Sequence, residues 1–172
     1  MGVSLEQKKR VVQEVAEVAN AAHSAVAAEY RGLSAGDMDS LRVQARDSGV
    51  YLRVVKNSLA KRAVEGTEFE CMTDGFVGPL LLAFSQEDPG SAARVLKDFS
   101  KEHEQLVVTM LAVGGARYPG SEIDRLATLP TYDEAISLLM ATMKAPVQKL
   151  ATTLNEVPSK LVRTVAAVRD AK

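Results

Sequence analysis

The chain has 172 residues, of which 47% are hydrophobic and 25% are charged, and its formal net charge is −1. These values are ordinary for a soluble globular protein with one core and room for a small second unit. The single cysteine, Cys71, excludes an internal disulfide and fits a cytoplasmic location, and no apolar run is long enough to span a bilayer, so no membrane partner is expected.

The net charge conceals a strong segregation of charge along the chain. Residues 1–64 carry a net +3, residues 65–134 a net −8 and residues 135–172 a net +4. An acidic middle therefore masks two basic ends, and the overall charge does not argue against a nucleic-acid partner.

The first predicted element is a helix over residues 5–21. Ser4 and Gln7 form a capping-box signature, and apolar residues follow at helical spacing. Lys8 and Lys9 lie in its first turns, the end of the helix dipole that disfavours cations. This cluster indicates either an anionic partner or a solvated helix face.

A strand, turn and helix follow. Residues 24–30 are predicted to form a strand and residues 35–47 a helix that Ser34 caps. Arg31 and Gly32 occupy the turn between them. A cation therefore precedes a helix start.

A second unit of the same kind comes next. Residues 50–55 alternate as a half-buried strand does, with Arg53 expected to point away from the hydrophobic side, and a helix is predicted over about residues 57–64. Lys56 precedes this helix and Asn57 is expected to cap it.

The two turns are expected to lie together. If the two strands are parallel neighbours joined by the intervening helix, both turns open at one edge of the sheet. That edge would hold two cations and two helix amino ends, whose N–H groups attract phosphate. Each basic residue taken singly could be ordinary surface charge, but their concentration at two helix starts favours phosphate binding.

The middle of the chain completes the predicted sheet. Residues 65–79 are acidic and predicted to be irregular, and residues 80–84 form a buried strand. Asp88 and Pro89 are expected to start a helix, and residues 106–113 form a further strand. The fold class predicted is mixed α/β (α+β), with one small sheet of about four strands flanked by helices.

A helical arm is predicted to end the chain. From Thr131 an amphipathic pattern continues almost to the C-terminus, and Pro146 and Pro158 are expected to divide or kink it. The segments LMATM, LATTL and LVRTV recur every 11 residues, close to three helical turns, so they form one apolar stripe. The stripe contains Leu139, Met143, Leu150, Leu154, Val157, Leu161, Val165 and Val168.

The chain is thus predicted to have two domains, a phosphate-binding α/β domain over 1–130 and a partner-binding helical arm over 131–172. The stripe could pack on its own domain. A repeated unit that is nearly free of acidic residues is better suited to receiving several copies of one acidic partner.

The sequence does not support a catalytic or metal-binding function. His23 and His103 stand alone, without acidic residues at ligand spacing. No nucleophile motif is present and the carboxylates are scattered. We therefore expect neither an enzyme nor a cofactor.

Several stretches together resemble a known family, the bacterial large-subunit (50S) ribosomal protein number ten, the anchor of the ribosomal stalk base. The resemblance covers essentially the whole chain in order. The features that carry it are YRGLS at 30–34, the paired arginines at 42 and 46, VVKNSL at 54–59, GPLLLAF at 78–84, LPT at 129–131 and KLVRTVAAVR at 160–169.

The resemblance implies a noncatalytic scaffold. Its α/β domain would bind the large-subunit ribosomal RNA at the GTPase-associated centre, beside ribosomal protein number eleven, and its arm would carry two or three dimers of the acidic stalk protein number seven/twelve. Such proteins also commonly bind the leader of their own messenger RNA. The positions that match for RNA contact are Arg31, Gly32, Lys56 and Asn57, and charge placement adds Lys8, Lys9, Arg46, Arg53 and Lys61.

Two other functions remain open at this point. A free-standing RNA-binding translational regulator could self-associate through its C-terminal helix. A small phosphotransferase could use the helix starts, although no catalytic lysine or metal carboxylate supports it.

Overall fold

The computed structural model describes residues 4–103 and 105–171, without the side chain of Val157. The chain forms two compact units, of which the first ends at Thr131 and the second begins at Tyr132. The helices are α1 Leu5–Ala21, α2 Ala35–Asp47, α3 Asn57–Val64, α4 Ser91–Glu102, α5 Ile123–Ala127 and α6 Tyr132–Asp170. The strands are β1 Ser24–Glu29, β2 Val50–Val54, β3 Leu80–Ser85, β4 Val107–Val113 and β5 Ala116–Pro119, and short 3₁₀ helices span Glu68–Gly75 and Gly120–Glu122.

Within the described residues, the first unit is built on one five-stranded sheet. The strand order is β2-β3-β1-β4-β5, and every neighbouring pair is antiparallel. The mixed α/β fold class with a C-terminal helical arm is confirmed. The prediction of about four strands missed β5, which pairs with β4 across the two-residue turn Gly114-Gly115; both glycines have positive φ, 56° and 78°, as in a type I′ hairpin.

Helices cover both faces of the sheet. On one face, α1, α3 and the first 3₁₀ helix form a core around Val15, Phe69 and Phe84. On the other face, α2, α4 and α5 form a core around Leu41 and Leu96. The central strands β1 and β3 are almost fully buried because both faces are covered.

The capping signatures in the sequence predicted two helix starts correctly. The hydroxyl of Ser4 accepts a hydrogen bond from the Gln7 N–H at 3.3 Å, and the Gln7 amide oxygen accepts one from the Ser4 N–H at 3.0 Å. Ser34 caps α2 in the same way with Asp37. Each box satisfies N–H groups that a helix start leaves without partners.

Two predictions for the middle of the chain were wrong. Asp88 and Pro89 do not start α4, which begins at Ser91. The hydroxyl of Ser24 donates to the Pro89 carbonyl at 2.7 Å, and the hydroxyl of Ser85 donates to the Asp88 carbonyl, so these residues form a turn tied to the sheet. The acidic stretch 65–79 is not wholly irregular either, since it contains the 3₁₀ helix Glu68–Gly75.

Gly120 gives a test of this packing. A Cβ at Gly120 would overlap the carbonyl oxygen of Val108, so Gly120→Ala should destabilise the α/β unit by about 2 kcal/mol or more. Gly36→Ala is the matched control, because its Cβ would lie 3.8 Å from the Ser34 hydroxyl and alanine favours the helix by about 0.5–1 kcal/mol. Urea unfolding followed by circular dichroism measures both variants, and equal stabilities would contradict the packing described.

Candidate functional site

The two predicted turns open at one edge of the sheet, although the reason differs from the one expected. Strands β1 and β2 are not neighbours, because β3 lies between them. Both are antiparallel to β3, so both end where β3 begins: Glu29 lies opposite Leu80 and Val54 opposite Leu81. Two strand spacings, about 10 Å, separate their ends. We call this margin the strand-end edge.

The first turn places Arg31 at the strand-end edge. The Leu33 N–H donates to the Tyr30 carbonyl at 3.3 Å, and Gly32 has a φ of 98°, which fits the third position of a type II turn. The Arg31 side chain is exposed. A glycine is required here because side chains rarely adopt this φ.

The amino end of α2, which follows this turn, is already occupied by a carboxylate of the protein itself. The Asp37 carboxylate accepts hydrogen bonds from the Ser34 N–H at 3.2 Å and the Ser34 hydroxyl at 2.8 Å. These bonds lower the pKa of Asp37 below its ordinary value, so the carboxylate stays ionised at neutral pH. A phosphate approaching this helix start would meet a negative charge.

The amino end of α3 is open. The N-cap residue is Lys56 and no side chain caps the helix, so the prediction that Asn57 caps it was wrong. The Asn57 amide instead donates to the carbonyls of Gly78, at 2.8 Å, and Phe76, at 3.4 Å, and so fixes the loop before β3. Among the described residues, no acceptor is found for the N–H groups of Asn57 and Ser58.

The two turns share one open depression of about 350 Å³. It brings Tyr30, from the first turn, together with Lys56 and Ser58, from the second. Exposed Lys56 thus lies beside an unfilled helix start, and Tyr30, the residue before Arg31, lines the same depression, whereas Arg31 itself does not line it. The depression is lined by Tyr30, Val54, Val55, Lys56, Asn57, Ser58, Gly78, Pro79 and Leu80.

Arg53 is already paired within the protein. Its guanidinium contacts the Glu14 carboxylate of α1 and donates to the Tyr51 hydroxyl at 2.8 Å, and that hydroxyl donates to Glu14 at 2.8 Å. The hydrogen bond from Arg53, followed by that from Tyr51, lowers the pKa of Glu14. Arg53 lies on the face opposite Val50 and Leu52, as predicted, but this face is not left to solvent, because α1 covers it.

The remaining basic candidates are spread over the surface of the same unit. Arg46 is exposed and lies with Arg42 beside the edge strand β2. Lys8 and Lys9 are exposed on α1 and line a groove against α3, whereas Lys61 is half-buried. Within residues 4–103 and 105–171, no carboxylate lies within 4.0 Å of the charged groups of Lys8, Lys9, Arg31, Arg46, Lys56 or Lys61.

The second unit is a single helix, α6. Pro146 and Pro158 both lie inside it, so they do not divide the segment, and the predicted alternative, a kink, stays a prediction. The stripe side chains that the structure describes are 60–73% exposed; they are Leu139, Met143, Leu150, Leu154, Leu161, Val165 and Val168. The side chain of Val157, also predicted for this stripe, lies outside the described part.

Sequence reasoning missed part of this apolar surface. Val147 is 70% exposed and lies eight residues after Leu139, so it belongs to the same helix face. Leu138, Met140 and Val162 are also more than 60% exposed and widen the surface. Met140 and Val162 occupy the second position of the repeated segments LMATM and LVRTV, whereas the predicted stripe follows mainly their first and fifth positions.

Among the residues that the structure describes, no group of three or more histidine, cysteine or acidic side chains is arranged to hold a metal ion. No described helix combines the length and apolar character needed to cross a bilayer.

Comparisons with known proteins all match the chain to ribosomal proteins of one family. Residues 4–101 match the family described as Ribosomal protein L10, and residues 129–157 match the one described as Ribosomal protein uL10 C-terminal region. Proteins named large ribosomal subunit protein uL10 are similar over all 172 residues of this chain and 98% of their own length. They are 74% identical in Alkalilimnicola ehrlichii, 72% in Halorhodospira halophila and 63% in a Psychrobacter species.

The Glu14–Arg53 pair predicts a pH dependence. Because the pKa of Glu14 is lowered in the folded state, its ionised form stabilises the fold above the unfolded pKa, and this contribution disappears as the pH falls through the folded pKa. Glu14→Gln should therefore lose less stability than wild type between about pH 7 and about pH 3, by up to about 1 kcal/mol for this partly exposed pair. Urea unfolding at both pH values measures the effect. Glu17→Gln is the matched control on the same helix, because Glu17 has no ion-pair partner within 4.0 Å among the described residues. An identical pH dependence in Glu14→Gln and wild type would contradict the prediction.

Proposed function

The chain belongs to the uL10 family of large ribosomal subunit proteins, which makes it a structural ribosomal protein and not an enzyme, and we propose that it is a two-sided scaffold of the ribosomal stalk. The strand-end edge binds large-subunit ribosomal RNA. Helix α6 anchors several dimers of the acidic stalk protein, which supports the recruitment of translation-factor GTPases.

The observation that carries the RNA proposal is the shared depression at the strand-end edge. Lys56 and the uncapped start of α3 lie there beside the Arg31 turn, and neither cation has a carboxylate within 4.0 Å in the described chain. A cation without an intramolecular partner is available to a phosphate, and free N–H groups at a helix start bind phosphate directly. Of the two helix starts, only that of α3 suits this role, because Asp37 occupies that of α2.

The four positions that match the family pattern have different roles in this proposal. Arg31 and Lys56 contact phosphates, and Gly32 allows the turn that exposes Arg31. Asn57 orders the loop before β3 through its side chain and leaves its N–H for the RNA. Residues of this kind position a nucleic-acid backbone without reading its sequence.

The candidates chosen from charge alone stay predictions with different support. Arg46 and Lys61 extend the basic surface and have no carboxylate partner among the described residues. Arg53 would have to exchange Glu14 for RNA, which weakens the case for it. Lys8 and Lys9 line a groove with a largely apolar floor, which a phosphate backbone does not need.

The arm proposal rests on the exposed apolar surface of α6. Apolar side chains that are 60–73% exposed on a helix favour burial against a partner. Residues 135–172 carry a net +4, so a partner with an acidic groove is complementary to them. Three copies of the repeated unit are compatible with two or three dimers.

The remaining parts of the proposal rest on the family resemblance. They are the GTPase-associated centre as the RNA target, ribosomal protein number eleven as a neighbour, binding to the leader of the protein's own messenger RNA, and a cytoplasmic location on the ribosome.

The RNA proposal predicts the effect of reversing two charges. The Arg31→Glu, Lys56→Glu double variant should bind an RNA fragment of the GTPase-associated centre at least about tenfold more weakly, because two charge-assisted hydrogen bonds are lost. The slope of log K against log salt should fall by about 1.4 to 1.8, as expected for two phosphate contacts. Filter binding at several salt concentrations measures both quantities.

The matched control reverses Arg117 and Arg125, which lie toward the end of the sheet where β1 begins. Arg117 lies opposite Ala112, itself opposite Ala25, and Arg125 lines a depression with Val113, itself opposite Ser24. This variant should keep the wild-type slope. Equal slopes for wild type and both variants would remove Arg31 and Lys56 from the RNA contact.

The arm proposal predicts how many stalk-protein dimers each chain binds. Deletion of residues 158–172 removes the third repeated unit, so native mass spectrometry should find one fewer stalk-protein dimer per chain. Full-length Leu161→Asp, Val165→Asp should lose the same dimer, whereas Ser159→Asp, on the opposite face of the helix, should not. Unchanged stoichiometry would mean that the repeat is not a docking array, and self-association of the purified chain without any partner would favour the regulator instead.

A further inference from the structure

Helices α1 and α3 border a groove that the RNA proposal does not use. The groove has a volume of about 410 Å³ and lies on the surface of the first unit. On α1 its lining residues recur every three or four positions from Leu5 to Ala16, so they form one face of the helix over about three turns, or about 17 Å.

The floor of the groove is apolar and open. Leu5, Val12 and Ala16 of α1 and Leu59 of α3 form it. Leu5 is 68% exposed, and Val12 and Leu59 are only half-buried although both pack on the core. An apolar strip that remains partly in water gains free energy when another apolar surface covers it.

The rim of the groove is basic. Lys8 and Lys9 of α1 and Arg62 of α3 line it, and none of them has a carboxylate within 4.0 Å among the described residues. No carboxylate lines the groove within the described part of the chain. The nearby acidic residue Glu14 is engaged by Arg53 and does not neutralise this rim.

From this combination we infer that the α1–α3 groove binds an amphipathic helix of about three turns from another, acidic protein. Apolar side chains at positions i, i+3 or i+4 and i+7 of that helix cover the floor, and its carboxylates pair with Lys8, Lys9 and Arg62. This assigns Lys8 and Lys9 to a protein contact instead of an RNA contact.

Other occupants match the groove less well. A phosphate backbone would satisfy the basic rim but would leave the apolar floor uncovered. A second copy of the chain, placed groove to groove, would bring Lys8, Lys9 and Arg62 against their own equivalents. The basic residues of α6 would likewise meet like charge.

A site-specific photo-cross-link identifies the occupant. The photoreactive residue p-benzoylphenylalanine replaces Leu5, or Arg10 as the control, in full-length protein incorporated into large ribosomal subunits. Arg10 is exposed on α1 but does not line the groove. We expect the Leu5 position, and not the Arg10 position, to attach to a protein segment in which acidic residues alternate with apolar ones at helical spacing. Cross-links to RNA, to a second copy or within the same chain, or no cross-link, would each overturn the inference.

The cross-linked segment then serves as a synthetic peptide for affinity measurements. Lys9→Glu should weaken its binding to the full-length protein about fivefold, the effect of losing one rim ion pair, while Arg10→Glu should change it less than twofold. Equal effects of the two reversals would show that the groove rim does not recognise the peptide. Because neither residue lines the depression at the strand-end edge, failure of this test leaves the RNA proposal unaffected.

Discussion

The insertion of β3 between β1 and β2 is the constraint on which the candidate site depends. Antiparallel pairing on both sides of β3 makes β1 and β2 run in the same direction, so the turns that follow them open at one edge. The Arg31 turn and Lys56 would lie at opposite edges if either pairing were parallel. All six side chains of β3 are buried between two helical layers, which suits an interior strand of the sheet.

The two helix starts at the strand-end edge differ, because one is occupied by a carboxylate of the protein and the other is open. At α2 the protein supplies its own anion, Asp37, and at α3 it supplies none. A helix start without a side-chain cap leaves N–H groups that need an acceptor. The asymmetry makes Lys56 and the start of α3 the centre of the proposed RNA contact, with Arg31 as its second cation, while α6 presents apolar surface in a separate unit.

Sequence patterns over a few residues predicted the starts of α1 and α2 correctly. They did not predict side-chain partners that lie far apart in the sequence. Ser4 and Ser34 were identified as caps because the bonds involved span three residues. Asn57 was misassigned because its amide reaches Gly78, 21 residues away, and the pairing of Arg53 with Glu14 crosses two elements. No pattern in the sequence reports such contacts. The strand order was missed for the same reason, although the shared edge was predicted correctly.

Backbone amide chemical shifts during an RNA titration test the central claim most directly. With a GTPase-associated RNA fragment, the account predicts that the largest shifts fall on Arg31 and on residues 56–58, and that the start of α2 at Asp37 shifts less. Shifts concentrated at the opposite edge of the sheet, around His23, Gly49 and Gln86, would contradict it.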